Sequence, residues 1–76
     1  MSVRFVSING NINFFIQCNA DDKFYKLVEK LYLEYLDCRN PNNNFLVNGK
    51  KINENKTIAQ NNIENEDTIM LFNFND

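Results

Sequence analysis

Val3-Arg4-Phe5-Val6-Ser7-Ile8-Asn9-Gly10-Asn11-Ile12-Asn13-Phe14-Phe15-Ile16-Gln17-Cys18 is the stretch on which the reading of the fold turns. On both sides of Asn9-Gly10 the apolar residues recur at a period of two, the period of a β-strand with one covered face. Asn-Gly between two such runs predicts a hairpin, because both residues tolerate the positive φ of a two-residue type I′ turn. That turn sets the register: Ile8 opposite Asn11, Ser7 opposite Ile12, Phe5 opposite Phe14 and Val3 opposite Ile16. Opposed residues share a face. Val3, Phe5, Ile12, Phe14 and Ile16 therefore line one side, assigned to the core, with Cys18 at its end. Arg4, Val6, Ile8, Asn13, Phe15 and Gln17 line the other.

Downstream, the period changes. Phe24, Leu27, Val28, Leu31 and Tyr35 recur at spacings of three and four, which predicts an amphipathic helix over residues 21–37. Asp21 or Asp22 is placed to cap its start. Tyr25, Tyr32 and Leu36 fall off the stripe and are expected as half-buried flanks. Asn40-Pro41 and the following Asn run end the helix in a loop. Phe45-Leu46-Val47 reads as a short strand, Asn48-Gly49 as its turn and Lys50-Lys51-Ile52 as a return strand. Residues 53–66 are polar, with Ile58 and Ile63 as anchors of a long loop containing one helical turn. The last strand spans residues 67–74, with Ile69 and Leu71 on one face and Met70, Phe72 and Phe74 on the other. Strand, strand, helix, strand, short strand, strand is an α+β order. With the first and last strands parallel neighbours and the helix across one face of a mixed sheet, it is the β-grasp architecture. The predicted core unites Phe5, Phe14, Ile16, Leu27, Leu31, Phe45, Ile69 and Leu71.

Composition narrows the chemistry. At 76 residues the chain is one small domain, 1–76, and a 43% hydrophobic content is enough for a packed core. A formal net charge of −2 argues against nucleic acid as a partner, since phosphate binding needs a basic face. Histidine is absent and Cys occurs twice, which disfavours zinc sites, haem ligation and base-assisted nucleophiles; no cofactor is expected and the chain is not read as an enzyme. No apolar run reaches the roughly 20 residues of a bilayer span, so no membrane partner is expected. Met1-Ser2-Val3-Arg4 does not open a signal peptide, which points to a reducing intracellular compartment, cytoplasmic or nuclear. Cys18 and Cys38 are then expected as free thiols. Sixteen Asn accompany abundant Ile, Lys and Phe, a bias in keeping with A+T-rich codon usage.

Taken together, these segments make the chain resemble the ubiquitin-like proteins. Residues 45–52 look like their third strand, turn and fourth strand, and Thr57-Ile58 and Asn62-Ile63 through Thr68-Ile69 continue the series. Ile52-Asn53-Glu54, Thr57, Ala59-Gln60, Glu64, Glu66-Asp67-Thr68-Ile69 and Phe72 are closer to SUMO. Unlike SUMO and ubiquitin, the sequence has no diglycine and runs Phe72-Asn73-Phe74-Asn75-Asp76. That pattern resembles the SUMO-like domains of the Rad60 and Esc2 type. The resemblance implies non-covalent protein partners, among them the back face of the SUMO-conjugating E2.

Three surfaces follow from the resemblance. Ile8, Leu46 and Phe72 match the apolar recognition patch of ubiquitin, and Met70 and Val6 extend it. A large outward apolar patch usually marks an interface. The groove between the second strand and the helix is where SUMO adds hydrophobic-acidic peptides as a strand. Here Phe15, Gln17 and Glu34 replace basic residues and only Lys26 keeps a charge, so that use is not expected. Glu64, Glu66 and Asp67, beside the Asn48-Gly49 turn, match the region of SUMO-like domains that faces the E2. The expectation is a non-conjugating interaction domain that presents the apolar face and the acidic loop to a protein, either a SUMO- or ubiquitin-pathway E2 or a large complex. The alternatives are a small structural subunit of a larger assembly, or a SUMO-type covalent modifier whose diglycine tail lies past Asp76.

Overall fold

In the computed structural model, which describes residues 1–8 and 10–73, the first strand β1 (Ser2–Ser7) lies between two partners. It pairs antiparallel with β2 (Asn13–Gln17), with Val3 opposite Ile16 and Phe5 opposite Phe14, as the sequence predicts. On its other edge it runs parallel to β5 (Thr68–Asn73), with Phe5 beside Ile69 and Val6 beside Met70. β3 (Asn43–Val47) and β4 (Lys50–Lys51) complete one sheet of order β2-β1-β5-β3-β4. The helix α1 (Phe24–Glu34) crosses one face of it, which is the β-grasp arrangement.

Alternation alone decides which side chains meet the helix. Val3, Phe5, Ile69 and the helical Phe24, Leu27 and Leu31 are fully shielded from solvent. At the centre the rings of Phe5, Phe24 and Phe45 contact one another, with centroids 5.5–5.9 Å apart and tilted or edge-on orientations. Those geometries suit the ring quadrupoles and add to area burial. Ile58 and Ile63 plug the core from the long loop, as expected of them. Phe14 departs from its expected place. It is half-buried at the margin and packs edge-on against Tyr35 at 5.6 Å, because β2 is the sheet edge and the helix does not reach over its outer end.

The β3–β4 turn takes the expected form, and the described residues beside the β1–β2 turn keep the expected pairing. At β3–β4, Asn48 (φ 52) and Gly49 (φ 78) both adopt the left-handed region, as a type I′ turn requires. At β1–β2 the Ser7 carbonyl accepts the Gly10 N–H at 3.0 Å. Ser7 faces Ile12 as expected: its Oγ accepts the Ile12 N–H at 3.0 Å while its own N–H donates to the Ile12 carbonyl at 3.2 Å. The register of the strands is unchanged. Asn9, on which the two-residue reading rested, lies outside the described residues, as does Phe74 in the last strand.

The helix is shorter than its stripe. Neither Asp21 nor Asp22 caps it; Lys23 holds the N-cap position and makes no side-chain cap bond. Asp22 instead closes the preceding loop, its Oδ2 accepting the Asn19 N–H at 2.8 Å. The first helical N–H groups are satisfied from elsewhere in the chain. Phe24 donates to the Lys56 carbonyl at 2.9 Å and Tyr25 to the Glu54 carbonyl at 3.0 Å. Orphan donors at a helix start need an acceptor, and a distant backbone segment supplies it as well as a side chain does. That segment is held by Asn61, whose Nδ2 donates to the carbonyls of Asn53 and Thr57 at 2.9 and 3.0 Å while its Oδ1 accepts the Asn53 N–H at 2.9 Å. At the other end, Tyr35 leaves the helical region (φ −124, ψ 74) and a 3₁₀ turn, Leu36–Cys38, follows. Leu36 consequently points into solvent at 70% exposure, not half-buried as the longer helix implied.

Candidate functional site

The sheet face turned away from the helix carries the predicted apolar cluster, built by cross-strand pairing. Val6 on β1 is opposite Met70 on β5, and Met70 is opposite Leu46 on β3. Those three side chains form one continuous row across three strands, each half-buried. Phe72 lies two residues along β5 on the same face, opposite Asn44, and is also half-buried. Ile8 sits just beyond β1 and is 72% exposed. Phe15, on the outward side of β2 opposite Arg4, is 61% exposed. Sheets with one wet face ordinarily turn polar residues outward. Here the wet face is largely aliphatic and aromatic at its centre.

Ile8 and Phe72 also border an open groove of about 980 Å³ at one end of the molecule, where the β1–β2 loop faces the end of α1. Leu33 (77% exposed) and Leu36 form its far wall, with Glu34 and Asp37 beside them. Sequence reading missed Leu33. The available signal was its position: it falls off the 24-27-28-31-35 stripe, so a helix packed through that stripe must turn it outward.

The acidic residues separate into two kinds. Glu64 and Glu66 are exposed. Asp67 is half-buried and structural: its Oδ2 accepts the Glu64 N–H at 2.8 Å, and its own N–H donates back to the Glu64 carbonyl at 3.1 Å. This closed turn also fixes the sheet, since Glu66 (φ 69) donates to the Ser2 carbonyl at 2.7 Å and Arg4 donates to the Asp67 carbonyl at 3.0 Å. The pairing of Leu46 with Met70 brings the β3–β4 turn to the same end of the sheet. Lys26, on the helix, is exposed.

The thiols are suited to packing. Cys18 is buried and Cys38 partly buried, and neither forms a disulfide. Burial pushes both thiols up from their ordinary value, which keeps them protonated and poorly nucleophilic. Burial likewise raises the Tyr32 phenol, whose oxygen accepts the Asn43 Nδ2–H at 2.8 Å. Asn43 spends its other donor capacity on the Cys38 carbonyl, also at 2.8 Å, and so ties β3 to the end of the helical segment.

Comparison with curated proteins yields no match. Among protein families, the model described as Ubiquitin-2 like Rad60 SUMO-like matches residues 2–72. The matched span takes in every strand through Phe72 and therefore the whole outward face described above.

Proposed function

Starting from the premise that the chain belongs to the Rad60 SUMO-like family of ubiquitin-2-like domains, we propose that it is a protein-interaction module that works by non-covalent binding through its outward sheet face. The observation that carries this reading is the Val6–Met70–Leu46 row, three half-buried apolar side chains held side by side on a face that no element among the described residues covers. Each would release on the order of 1 kcal/mol on completing its burial against a partner. Rigid strands hold the row in place, so little ordering is lost on association. The chemistry asked of the domain is recognition, not turnover.

A SUMO-conjugating E2 is the partner class to test first. Titration of the isotope-labelled chain with that E2 should shift the amides of Val6, Leu46 and Met70. Leu46→Ala with Phe72→Ala should weaken the complex about tenfold, while the fold survives because neither side chain belongs to the buried core. A second reading places the E2 on the acidic edge, favoured by the exposure of Glu64 and Glu66. Glu64→Lys with Glu66→Lys tests it, and Asp67 is left intact because its carboxylate closes the turn. Loss of binding in this charge-reversed variant, with wild-type binding by the double alanine variant, transfers the interface to the edge.

A further inference from the structure

We propose that the outward sheet face takes a protein segment that presents Asp or Glu among apolar side chains, with Arg4 as the anchor for one carboxylate. The inference rests on the sheet face being the binding surface and adds the chemistry of what binds there.

The first observation is charge segregation. The chain has ten acidic and eight basic residues, yet the outward positions of the five strands carry Arg4 and Lys51 and no Asp or Glu. Among the described residues, acidic side chains lie on the helix, the turns and the loops instead. Asp67 is the residue before Thr68, which pairs with Arg4, and it spends its Oδ2 on the Glu64 N–H. A face whose described residues include cations and no anions, in a chain of net negative charge, is complementary to carboxylates and disfavours basic segments.

The second observation singles out Arg4. It is half-buried between Phe15 and Thr68, and its Nε exposes less than 1 Å² and has no hydrogen-bond partner among the described residues. Buried donors are normally paired, so an orphan of this kind calls for an explanation. The residue as a whole is partly exposed, while its Nε is shielded from water. A guanidinium already partly stripped of water and held in place gains more from a carboxylate than a mobile surface lysine does. Lys51 is exposed and pairs with Leu46 on the opposite side of the row. Three strand spacings, about 14 Å, separate the β1 and β4 strands, so one carboxylate cannot serve both cations. The Val6–Met70–Leu46 row runs between them and supplies the apolar contact. The end groove, with Glu34 and Asp37 on its wall and no Lys or Arg among the described residues of its lining, would repel the same segment and leave the sheet face as its seat.

The test is selection of random dodecapeptides on phage against the full immobilised chain, followed by affinity measurement and amide-shift mapping of the winners. The expected winners combine Asp or Glu with Leu, Ile or Phe, shift the amides of Arg4, Val6 and Met70, and weaken as salt rises. Arg4→Gln should lower their affinity about tenfold and Arg4→Lys should restore part of it. Replacing the peptide's acid by its amide should cost the same factor and cost nothing further in the Arg4→Gln background. Winners that map to the face but lack an acid, or that bind Arg4→Gln as they bind the wild type, overturn the carboxylate assignment and leave the sheet-face reading standing. Winners that map elsewhere, or no winners at all, overturn the proposal, and winners elsewhere count against the sheet-face reading as well.

Discussion

The two faces of the sheet are made from the same kinds of residue and meet different ends. Val3, Phe5 and Ile69 on the inner face are fully shielded, whereas Val6, Leu46 and Met70 on the outer face stay half-exposed. Strand geometry is not the cause, since the residues alternate along the same strands. The helix is the cause: with α1 across one side, the inner row becomes core and the outer row becomes surface. Apolar character at a strand position thus means stability on one side of this sheet and, on the proposed function, recognition on the other.

That contrast can be broken from the inside. Leu31→Ala empties a fully buried site between helix and sheet and should cost roughly 2–5 kcal/mol, a large part of the stability of so small a domain. Thermal or denaturant unfolding measures it, and a loss under 1 kcal/mol would mean that the helix does not organise the core. A smaller effect sharpens the same point. Asn61 braces the loop whose carbonyls receive the first N–H groups of the helix. Asn61→Ala should destabilise by about 1–3 kcal/mol, with hydrogen exchange quickening first at Phe24 and Tyr25. Uniform exchange across the chain would detach the loop from the helix start. Smallest of all, Leu46→Ala should cost less than about 1.5 kcal/mol of stability, because its side chain loses only half a burial. A cost equal to that of Leu31→Ala would erase the distinction between the two faces.

A fourth outcome concerns pH. Burial raises the thiols of Cys18 and Cys38 and the phenol of Tyr32. In the unfolded chain these groups lose their protons at lower pH than in the folded one, so above pH ~9 the folded state binds more protons. Stability should therefore be insensitive to these groups at neutral pH and fall as pH rises through the alkaline range. Urea midpoints measured at increasing pH check the sign; a rise would contradict it.

Much of this was legible along the chain. The hairpin register, the helical stripe and the two isoleucine plugs follow from periodicity and turn chemistry, and the structure keeps each of them. Ile8, Leu46 and Phe72 could be named for the sheet face through the resemblance to ubiquitin's apolar patch, and alternation along the strands put Val6, Met70 and Phe72 outward. What was not legible has one origin. Asp21 and Asp22 look like helix caps locally, but the acceptors are the carbonyls of Glu54 and Lys56, far along the chain in the loop after β4. Leu36 fits the helical period, but Tyr35 leaves the helix first. Asp67 looks like part of a charged surface, but its carboxylate is committed to its own turn.

The sequence by itself determined which side chains share a face, because that depends on backbone periods of 2 and 3.6 residues that each segment carries on its own. It also determined where the chain reverses between β3 and β4, because Asn48-Gly49 accepts dihedrals that most residues refuse. Only the tertiary structure decided how those faces are used. Parallel pairing of β1 with β5 joins residues more than sixty positions apart, and from it come the Val6–Met70–Leu46 row and the setting of Arg4 between Phe15 and Thr68. Burial and solvation are properties of that assembled surface, and no local pattern contains them.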